Sequence, residues 1–535
     1  MTLEEFKSIY SSSDKSREIC DLLNEAEIKI QLGGLAGSAA SIIASSVFTN
    51  KPGNYLFILP DKEDAAYFFN NLENLHKGEK GTTILFYPGS YRRPYQIEDI
   101  DNANIIQRTE VLSSIRKKRK NIMVVTHPEA IIENVVSRKN LAKNTLEIEQ
   151  GVEYSIDFIN ELLIEYEFEK LDHVYSPGQF SIRGGIVDIY SFSNSQPYRI
   201  EFDGDLVESI RLFDPSTQLS IKTVTKIHVI PNIQTTAMLE KRESFLDYIP
   251  TDTKIWIKDF ELSKGKIQKG YEKATYVFGK LESTIERLKP SQLYLKSELY
   301  ENQLYNFSIV EFGSKFHFKS TFKLTLNIRP QPPFNKNFDL LITKLNENTE
   351  NGFENYIFSE QDSQLERLAA IFKDIGKDVT FKSINSGIHE GFKDDDLKVS
   401  CYTDHQIFER YHRFKLKKGY TKSQQAFTLK EIYNLKKGDY VVHIDHGVGQ
   451  FSGLEKIDVN KKKQEAIRLI YKGGDILYVS IHSLHRISKF TSKDGGSPSL
   501  NKLGSPAWNL AKQKTKKSKR KRTTTRRKTK KYRKR

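Results

Sequence analysis

The chain has 535 residues, which is too long for one compact core and predicts several domains. Its two cysteines, Cys20 and Cys401, exclude a disulfide framework and a cysteine-rich metal site, and they fit a reducing cytoplasm. No apolar run reaches the roughly 18 residues that a membrane helix needs, and the N-terminus lacks the apolar stretch of a secretion signal.

The net charge of +16 is concentrated at the end of the chain. Residues 512–535 hold 16 of the 84 Lys and Arg residues and no acidic one, so the 68 remaining basic residues balance the 68 acidic residues. Like charges repel and almost no apolar area is available there, so we expect residues 501–535 to form a disordered basic tail. Such a tail would bind DNA non-specifically through its phosphates.

Residues 1–133 predict the first part of an α/β domain. Tyr55–Leu59 and Met123–Thr126 are almost wholly apolar, as strands of a parallel sheet are. Between them, Glu63–Leu75 carries apolar residues at helical spacing.

The segment LGGLAGSAASI, residues 32–42, lies where such a domain would bind nucleotide phosphates. A phosphate loop needs G-x-x-x-x-G-K-[ST], because backbone amides surround the phosphates and the lysine balances their charge. Counted from Gly34, through Gly37, this segment has Ala39 for the second glycine, Ala40 for the lysine and Ser41 at the last position. We therefore expect this degenerate nucleotide loop not to bind ATP.

Residues 134–222 predict a module of β-hairpins. Gln179–Tyr190 has strand-like alternation around a Gly-Gly pair, and Tyr198–Phe202 and Leu206–Phe213 are joined through Asp203-Gly204. Residues 223–332 return to an α/β pattern, as the second part of the first domain. A proline cluster at Arg329–Phe334 marks the next boundary.

Two smaller units follow. Residues 333–430 predict a small α/β spacer domain, with strands at Tyr356–Phe358 and Lys398–Tyr402 and a helix at Gln361–Ile375. Residues 431–500 contain short β-rich runs punctuated by glycines, which is typical of a small SH3-like or Tudor-like β-barrel. The expected fold class is thus multidomain α/β with an inserted hairpin module and a C-terminal barrel.

The hairpin module resembles a known one. The runs Phe180–Tyr190 (FSIRGGIVDIY) and Tyr198–Asp214 resemble the module shared by the excinuclease subunit UvrB and the transcription-repair coupling factors, which in both families binds the damage sensor UvrA. The degenerate loop fits the coupling factors, since UvrB keeps a working Gly-Lys-Thr. Phe86–Ile100 also looks too short for the damage-probing hairpin of UvrB.

The resemblance implies which residues bind UvrA. The family's basic contacts fall on Arg183 and on Lys170, whereas Ser181 stands where UvrB has a further arginine. Strand alternation predicts that Phe180 and Ile182 share one face and that Ser181 and Arg183 point to the other, where a partner could reach them. A solvated surface arginine is the alternative interpretation of Arg183.

A second resemblance covers the C-terminal unit. Gly438–Gly453 (GDYVVHIDHGVGQFSG), continuing through Ile476–Ile481 to Leu503–Trp508, resembles the CarD-type RNA-polymerase-interacting domain of coupling factors. In the family this domain binds the β subunit of RNA polymerase, and the apolar contact residue maps to Ile467. An exposed Ile467 beside a free strand edge would suit that role, whereas a core position is the alternative.

The family's ATP and magnesium belong to a translocase motor that follows the polymerase-binding domain. The resemblance fades after Trp508, so we expect this chain to bind partners without translocating and to need no cofactor. Residues 512–531 use only Lys, Arg, Thr, Gln and Ser, all encodable by adenine-rich codons, which leads to the hypothesis that the reading frame was lost near there.

Two alternative functions stay open at the level of sequence. The chain could be a UvrB-type ATP-dependent excision factor, which the degenerate nucleotide loop disfavours, or a CarD-like transcription regulator.

A metal site is not predicted. The pairs His443/His446 and His482/His485 have a spacing that zinc ligands can use, but each pair supplies only two ligands, which is too few to predict a metal site.

Overall fold

The computed structural model describes residues 2–90, 95, 102–117, 120–172, 174, 176–215, 218–232, 242–280, 288–320, 322–334, 336–375, 379–409, 435, 437–443, 446–459, 462–480, 487–489, 500 and 502. The chain divides into two compact units, Met1–Gly419 and Tyr420–Arg535. In the part of the chain so described, no helix is both long and apolar enough to cross a membrane.

The first unit begins with alternating helices and strands, and the strands and the helix predicted in this stretch are confirmed. The elements are α1 (Leu3–Ser11), α2 (Asp14–Leu22), β1 (Lys29–Gly33), α3 (Ala39–Asn50), β2 (Asn54–Ile58), α4 (Lys62–Leu75), β3 (Thr83–Tyr87), α5 (Asn102–Arg116), β4 (Ile122–Thr126) and α6 (Pro128–Ile131). Side-chain oxygens cap several helices; Asp61, for example, accepts from the first amides of α4.

A mainly antiparallel module follows. Its elements are β5 (Val135–Val136), α7 (Arg138–Lys143), β6 (Leu146–Glu149), α8 (Ile156–Glu165), β7 (Glu169–Lys170), β8 (Gln179–Arg183), β9 (Ile186–Tyr190), β10 (Tyr198–Asp203), β11 (Leu206–Phe213), β12 (Ser220–Thr223), β13 (Lys226–Val229) and β14 (Arg242–Glu243). Six of these strands form one sheet in the order β12-β11-β10-β9-β8-β7, in which only β7 and β8 pair in parallel. Gly204 has a φ of 62° at the turn between β10 and β11, the left-handed region that glycine adopts without strain.

The chain then returns to the first layer. The elements here are α9 (Phe245–Tyr248), β15 (Lys254–Lys258), α10 (Phe260–Phe278), α11 (Pro290–Leu293), α12 (Ser297–Leu304), β16 (Ser308–Phe312) and β17 (Phe322–Thr325). The last three strands join β1 to β4 in a parallel sheet of seven strands, ordered β17-β1-β16-β15-β2-β4-β3. One parallel sheet is therefore built from two segments of sequence that the antiparallel module separates.

A second, five-stranded sheet completes the first unit. The elements are β18 (Ile328–Pro330), α13 (Phe338–Glu350), β19 (Glu354–Phe358), α14 (Asp362–Asp374), β20 (Lys382–Ile384), β21 (Phe392–Asp394), β22 (Val399–Thr403) and α15 (Asp404–Ile407), with the sheet order β18-β21-β22-β19-β20. Phe6 of α1 packs edge-on against Tyr356 and Phe358 of β19. The small sheet thus shares a hydrophobic core with the seven-stranded sheet.

The second unit is an antiparallel sheet of five strands. They are β23 (Tyr440–His443), β24 (Gly447–Val459), β25 (Lys462–Ile470), β26 (Ile476–Ser480) and β27 (Ile487–Lys489), in the order β26-β25-β24-β23-β27. A register shift between Phe451 and Gly453 bends β24 against β25. The side chains buried between the strands form a core of their own, separate from the cores of the first unit.

Candidate functional site

The arginine face is the side of the six-stranded sheet that carries Ser181, Arg183, Asp188, Arg199 and Arg211. Strand register aligns Ser181 with Asp188, Asp188 with Arg199, and Arg199 with Arg211. The opposite side carries the buried Phe180, Val187, Ile189 and Ile200, which pack into the main core. The predicted alternation of side chains along β8 is therefore correct.

Arg183 does not stand free on this face. Its Nη2 lies 2.7 Å from Oδ2 of Asp188, and its Nη1 donates to the backbone oxygen of Asp172 and, at 3.1 Å, to the hydroxyl of Ser181. About a third of the arginine side chain is exposed, while Ser181 is buried. The expectation that both residues would be open to a partner is therefore wrong for Ser181, and Arg183 is accessible but held in place.

Asp188 organises the arginine face, and sequence reasoning missed it. Its carboxylate is fully buried and also binds Arg199, whose Nε and Nη2 lie 2.7 and 2.8 Å from the two oxygens. These hydrogen bonds raise the pKa of Arg199 above its ordinary value. A carboxylate that bridges two arginines fixes the orientation of both.

Lys170 lies on the other side of the sheet from Arg183. It is in register with the core residue Phe180, and its Nζ lies 5.9 Å from the centre of that ring. The ammonium donates to Oδ1 of Asn160 in α8 at 3.0 Å. Lys170 is exposed, but the fold does not bring it together with Arg183.

The degenerate nucleotide loop is hydrogen-bonded to the chain segment that leads into β21 of the small sheet. The backbone amide of Ser38 donates to the carbonyl of Glu390 at 3.1 Å, and the amide of Glu390 donates to the Ser38 hydroxyl at 2.9 Å. Asn71 joins the two segments: its Nδ2 donates to Ser38 and Ser41 at 3.1 and 3.0 Å, and its Oδ1 accepts from the amide of His389 at 2.8 Å.

Ring stacking and close backbone packing complete this closure. The imidazole of His389 stacks on Tyr67, with ring centres 3.4 Å apart. At Gly37, where φ is +53°, a Cβ atom would lie 2.5 Å from the carbonyl oxygen of Gly391, and at Gly34 one would lie 1.8 Å from that of Leu326. Both glycines therefore serve close packing between chain segments.

Several features of the loop are unfavourable for binding a nucleotide. Ala39 is buried and Ala40 has no charge to offer, while an amide that could have bound phosphate already donates to Glu390. The cleft that remains, lined in part by Lys258 and Asp64, has a volume of about 190 Å³. Ligand pockets are usually larger, from about 300 Å³ upward. Lys258 is itself paired with Asp64 at 2.9 Å.

In the second unit, Ile467 is a core residue. It is fully buried in β25, and β25 has neighbours on both sides, since Ile467 is in register with Leu454 of β24 and Val479 of β26. Of the two interpretations of Ile467, the structure supports the core position, while its part in polymerase binding stays a prediction. The exposed apolar side chains of this unit's described part are Ile476 and Tyr478, on β26 at one end of the sheet order.

Of the two histidine pairs, one lies within the described residues. The rings of His443 and His446 stack with their centres 4.7 Å apart, while His482 and His485 lie outside the described residues. In the described ranges, no three His, Cys, Asp or Glu side chains are grouped so that they could hold a metal ion.

Comparison with known proteins agrees with this architecture. The UvrB interaction domain matches residues 146–234, and the CarD-like/TRCF RID domain matches residues 435–491. The transcription-repair-coupling factor of Bacillus subtilis (strain 168) is 24% identical, over 96% of this chain and 49% of its own length. Those of Rickettsia prowazekii (strain Madrid E) and Rickettsia typhi (strain ATCC VR-144 / Wilmington) are 26% and 27% identical, each over 84% of this chain and 44% of their own length.

The chain spans about half the length of the curated relatives it matches. The first matched domain contains the arginine face, and the second contains the five-stranded sheet of the C-terminal unit. The chain is therefore similar to the transcription-repair coupling factors over about half of their length, and it matches a UvrB interaction domain and a CarD-like/TRCF RID domain.

Proposed function

We propose that this chain acts in transcription-coupled nucleotide-excision repair by joining RNA polymerase stalled at DNA damage to the recruitment of UvrA. The observation that carries the proposal is the presence of two interaction domains of different kinds on one chain, a UvrB interaction domain and a CarD-like domain. A protein that serves only one partner needs only one of them. Each domain makes a separate prediction about binding.

UvrA would bind the arginine face. Arg183 is partly exposed and fixed by Asp188, so it is ready to meet a carboxylate on the partner without first losing conformational freedom. Reversing its charge with Arg183→Glu should weaken UvrA binding at least tenfold in a pull-down or titration. Arg329→Glu is the matched control, because Arg329 is a more exposed arginine on the small sheet that also pairs with a carboxylate at 2.7 Å. Equal effects of the two changes would contradict this assignment.

RNA polymerase would bind the C-terminal unit through its β subunit. Because Ile467 is core, the contact would use β26, where Ile476 and Tyr478 are each about 40% exposed at the end of the sheet. An edge strand offers both backbone groups and side chains to a partner strand. We also propose that this sheet closes into a Tudor-like barrel. Substituting Ser at both exposed positions should abolish capture of the β subunit while UvrA binding persists.

We expect no ATP hydrolysis from this chain. In the degenerate nucleotide loop, Ala40 replaces the lysine, and the backbone amide of Ser38 already donates to the carbonyl of Glu390. A UvrB-type excision factor would instead turn over ATP in the presence of DNA. Steady-state phosphate release with DNA present separates the two, and turnover that survives further purification would refute the proposal.

A CarD-like transcription regulator is the second candidate, because one of the two domain models matches that class. Such a regulator has no need of UvrA. Capture of UvrA by the purified chain therefore distinguishes the candidates.

DNA would bind the basic tail, residues 501–535, most of which lie outside the described residues. The sixteen Lys and Arg residues at positions 512–535 would release counterions from the phosphates, so the affinity should fall steeply with salt. Removing residues 512–535 should flatten that dependence in a fluorescence-anisotropy titration. An unchanged slope would show that the tail is not the DNA-binding element.

A further inference from the structure

Edge strand β12 continues the arginine face. Thr223 of β12 is in register with Arg211 of β11, which extends the cross-strand row that begins at Ser181. Neighbouring strands lie about 4.8 Å apart, so β12 lies roughly 19 Å from the strand that carries Arg183. A standard interface of about 800 Å² on each partner is roughly 30 Å across, which is wide enough to cover both.

Arg199 links this edge to Asp188. While its Nε and Nη2 bind Asp188, its Nη1 lies 3.3 Å from the backbone oxygen of Gln218, and its Nη2 lies 3.1 Å from Oε1 of the same residue. Gln218 lies two residues before the start of β12. One hydrogen-bonded network therefore fixes Arg183, Arg199 and the start of the edge strand relative to one another.

Two large apolar side chains follow Gln218 and are open to solvent. Leu219 is 69% exposed and Ile221 is 57% exposed. Single exposed apolar residues are ordinary on a protein surface, but Leu219 directly before the edge strand and Ile221 within it form an apolar patch that favours pairing with another chain. The charges on this face are three arginines, Arg183, Arg199 and Arg211, and three carboxylates, Asp188, Glu201 and Glu169, the last of which accepts from Gln179.

We propose that Leu219 and Ile221 form the apolar half of the surface whose charged half is Arg183, and that one partner covers both. This inference rests on the proposed function and deepens it, because it assigns the partner, UvrA, two kinds of contact. The partner would present carboxylates to Arg183 and an apolar pocket to Leu219. Continuity of the Asp188–Arg199–Gln218 network with the proposed UvrA surface favours this occupant over a second copy of the chain.

The test compares UvrA affinities of four full-length chains: unmodified, Arg183→Glu, the double variant Leu219→Ser with Ile221→Ser, and Leu340→Ser. Leu340 is the matched control, since it is 49% exposed on α13, far from this sheet in sequence. We expect the double variant to bind UvrA about tenfold more weakly and Leu340→Ser to bind normally. Thermal unfolding of each variant checks that the fold is kept.

A photo-cross-linking residue at position 219 gives a second, independent measurement that does not remove the apolar contact. We expect it to cross-link to UvrA. The inference is overturned if Arg183→Glu weakens binding, the double variant binds normally and position 219 gives no cross-link. Self-association through β12 that the double variant abolishes, with UvrA binding unchanged, would overturn it as well.

Failure of the proposed function gives a different result. In that case the unmodified chain itself does not bind UvrA, and no comparison among variants arises. The two failures are therefore distinguishable in the same titration.

Discussion

Asp188 is the residue on which the arginine face depends most. A carboxylate buried without partners would be costly, and the two arginines that satisfy it are held at 2.7 Å. We expect Asp188→Asn to lower the free energy of unfolding by about 2–3 kcal/mol, less than for a fully buried pair because both arginines are partly exposed. Denaturant unfolding measures this change.

The matched control for this change is Glu201→Gln. Glu201 pairs with Arg211 on the same face, but both side chains are about a third exposed, so the loss should stay below about 1 kcal/mol. If the two substitutions cost the same, Asp188 is not the organising residue. Asp188→Asn should also weaken UvrA binding, because Arg183 loses the group that orients it.

His76 makes stability depend on pH. Its Nε2 lies 2.8 Å from the Ser45 hydroxyl and its Nδ1 lies 2.6 Å from Glu79, which also pairs with Lys7 of α1. Burial disfavours the charged imidazole and lowers the pKa of His76 below its ordinary value, although Glu79 acts in the opposite direction. The unfolded chain therefore binds this proton more readily than the folded chain.

The sign of the effect follows. Above about pH 6.5 the imidazole is neutral in both states, and stability is lost as the pH falls below that value, because protonation favours the unfolded chain. We expect His76→Gln to flatten this part of the curve of unfolding free energy against pH. Parallel curves for the two proteins between about pH 7 and pH 5 would contradict the assignment. The pKa of Glu79 is also lowered, by Lys7 and His76 against the opposing effect of burial, so its contribution is lost only at more acidic pH.

At the level of elements, the packing of the degenerate nucleotide loop against residues 387–391 explains why Gly37 is a glycine. We expect Gly37→Ala to destabilise the first unit by about 2 kcal/mol more than Gly78→Ala. Both glycines have positive φ, but a Cβ at Gly37 meets Gly391 at 2.5 Å, whereas nothing lies within 4 Å at Gly78. Thermal unfolding of the two variants makes the comparison, and equal losses would show that the contact with Gly391 is unimportant.

The strand β25 gives a prediction about the second unit. Because Ile467 is fully buried between β24 and β26, Ile467→Ala should cost about 2–5 kcal/mol and lower the hydrogen-exchange protection of those strands. The substitution Ile476→Ala, at an exposed position, should change the free energy of unfolding by about 0.5 kcal/mol at most. If Ile467→Ala loses polymerase binding but keeps full hydrogen-exchange protection, Ile467 is a contact residue after all.

Sequence patterns predicted many of the elements but few of their contacts. The apolar runs of β2 and β4 and the helical spacing of α4 depend on local periodicity, so they are visible in the sequence. Alternation along β8 separated Phe180 from Arg183 correctly. It could not show that Asp188 bridges two arginines, because this depends on how three strands are aligned.

Contacts between distant segments were hidden for the same reason. Ser38 and Glu390 are far apart in sequence, and nothing near either residue predicts their pairing. Alternation along β25 is compatible with an interior or an exterior Ile467, and only the packing of the folded sheet decides between the two. The domain boundaries at 133, 222, 332, 430 and 500 stay predictions, as do UvrA binding by Arg183 and Lys170.

For the whole molecule, the central proposal is that two separate interaction surfaces on one chain serve two partners at the same time. The UvrB interaction domain lies in the first compact unit and the CarD-like domain lies in the second. Because each unit has its own hydrophobic core, damage to one surface should leave binding at the other intact. This independence separates a coupling protein from a regulator with a single partner.

The most direct test is ternary assembly of the purified chain with UvrA and the RNA polymerase β subunit, followed by size-exclusion chromatography with light scattering. We predict one complex that contains all three proteins, which loses only UvrA with Arg183→Glu and only the β subunit with serine at positions 476 and 478. Mutually exclusive binding of the two partners, or binding of neither, would contradict the account.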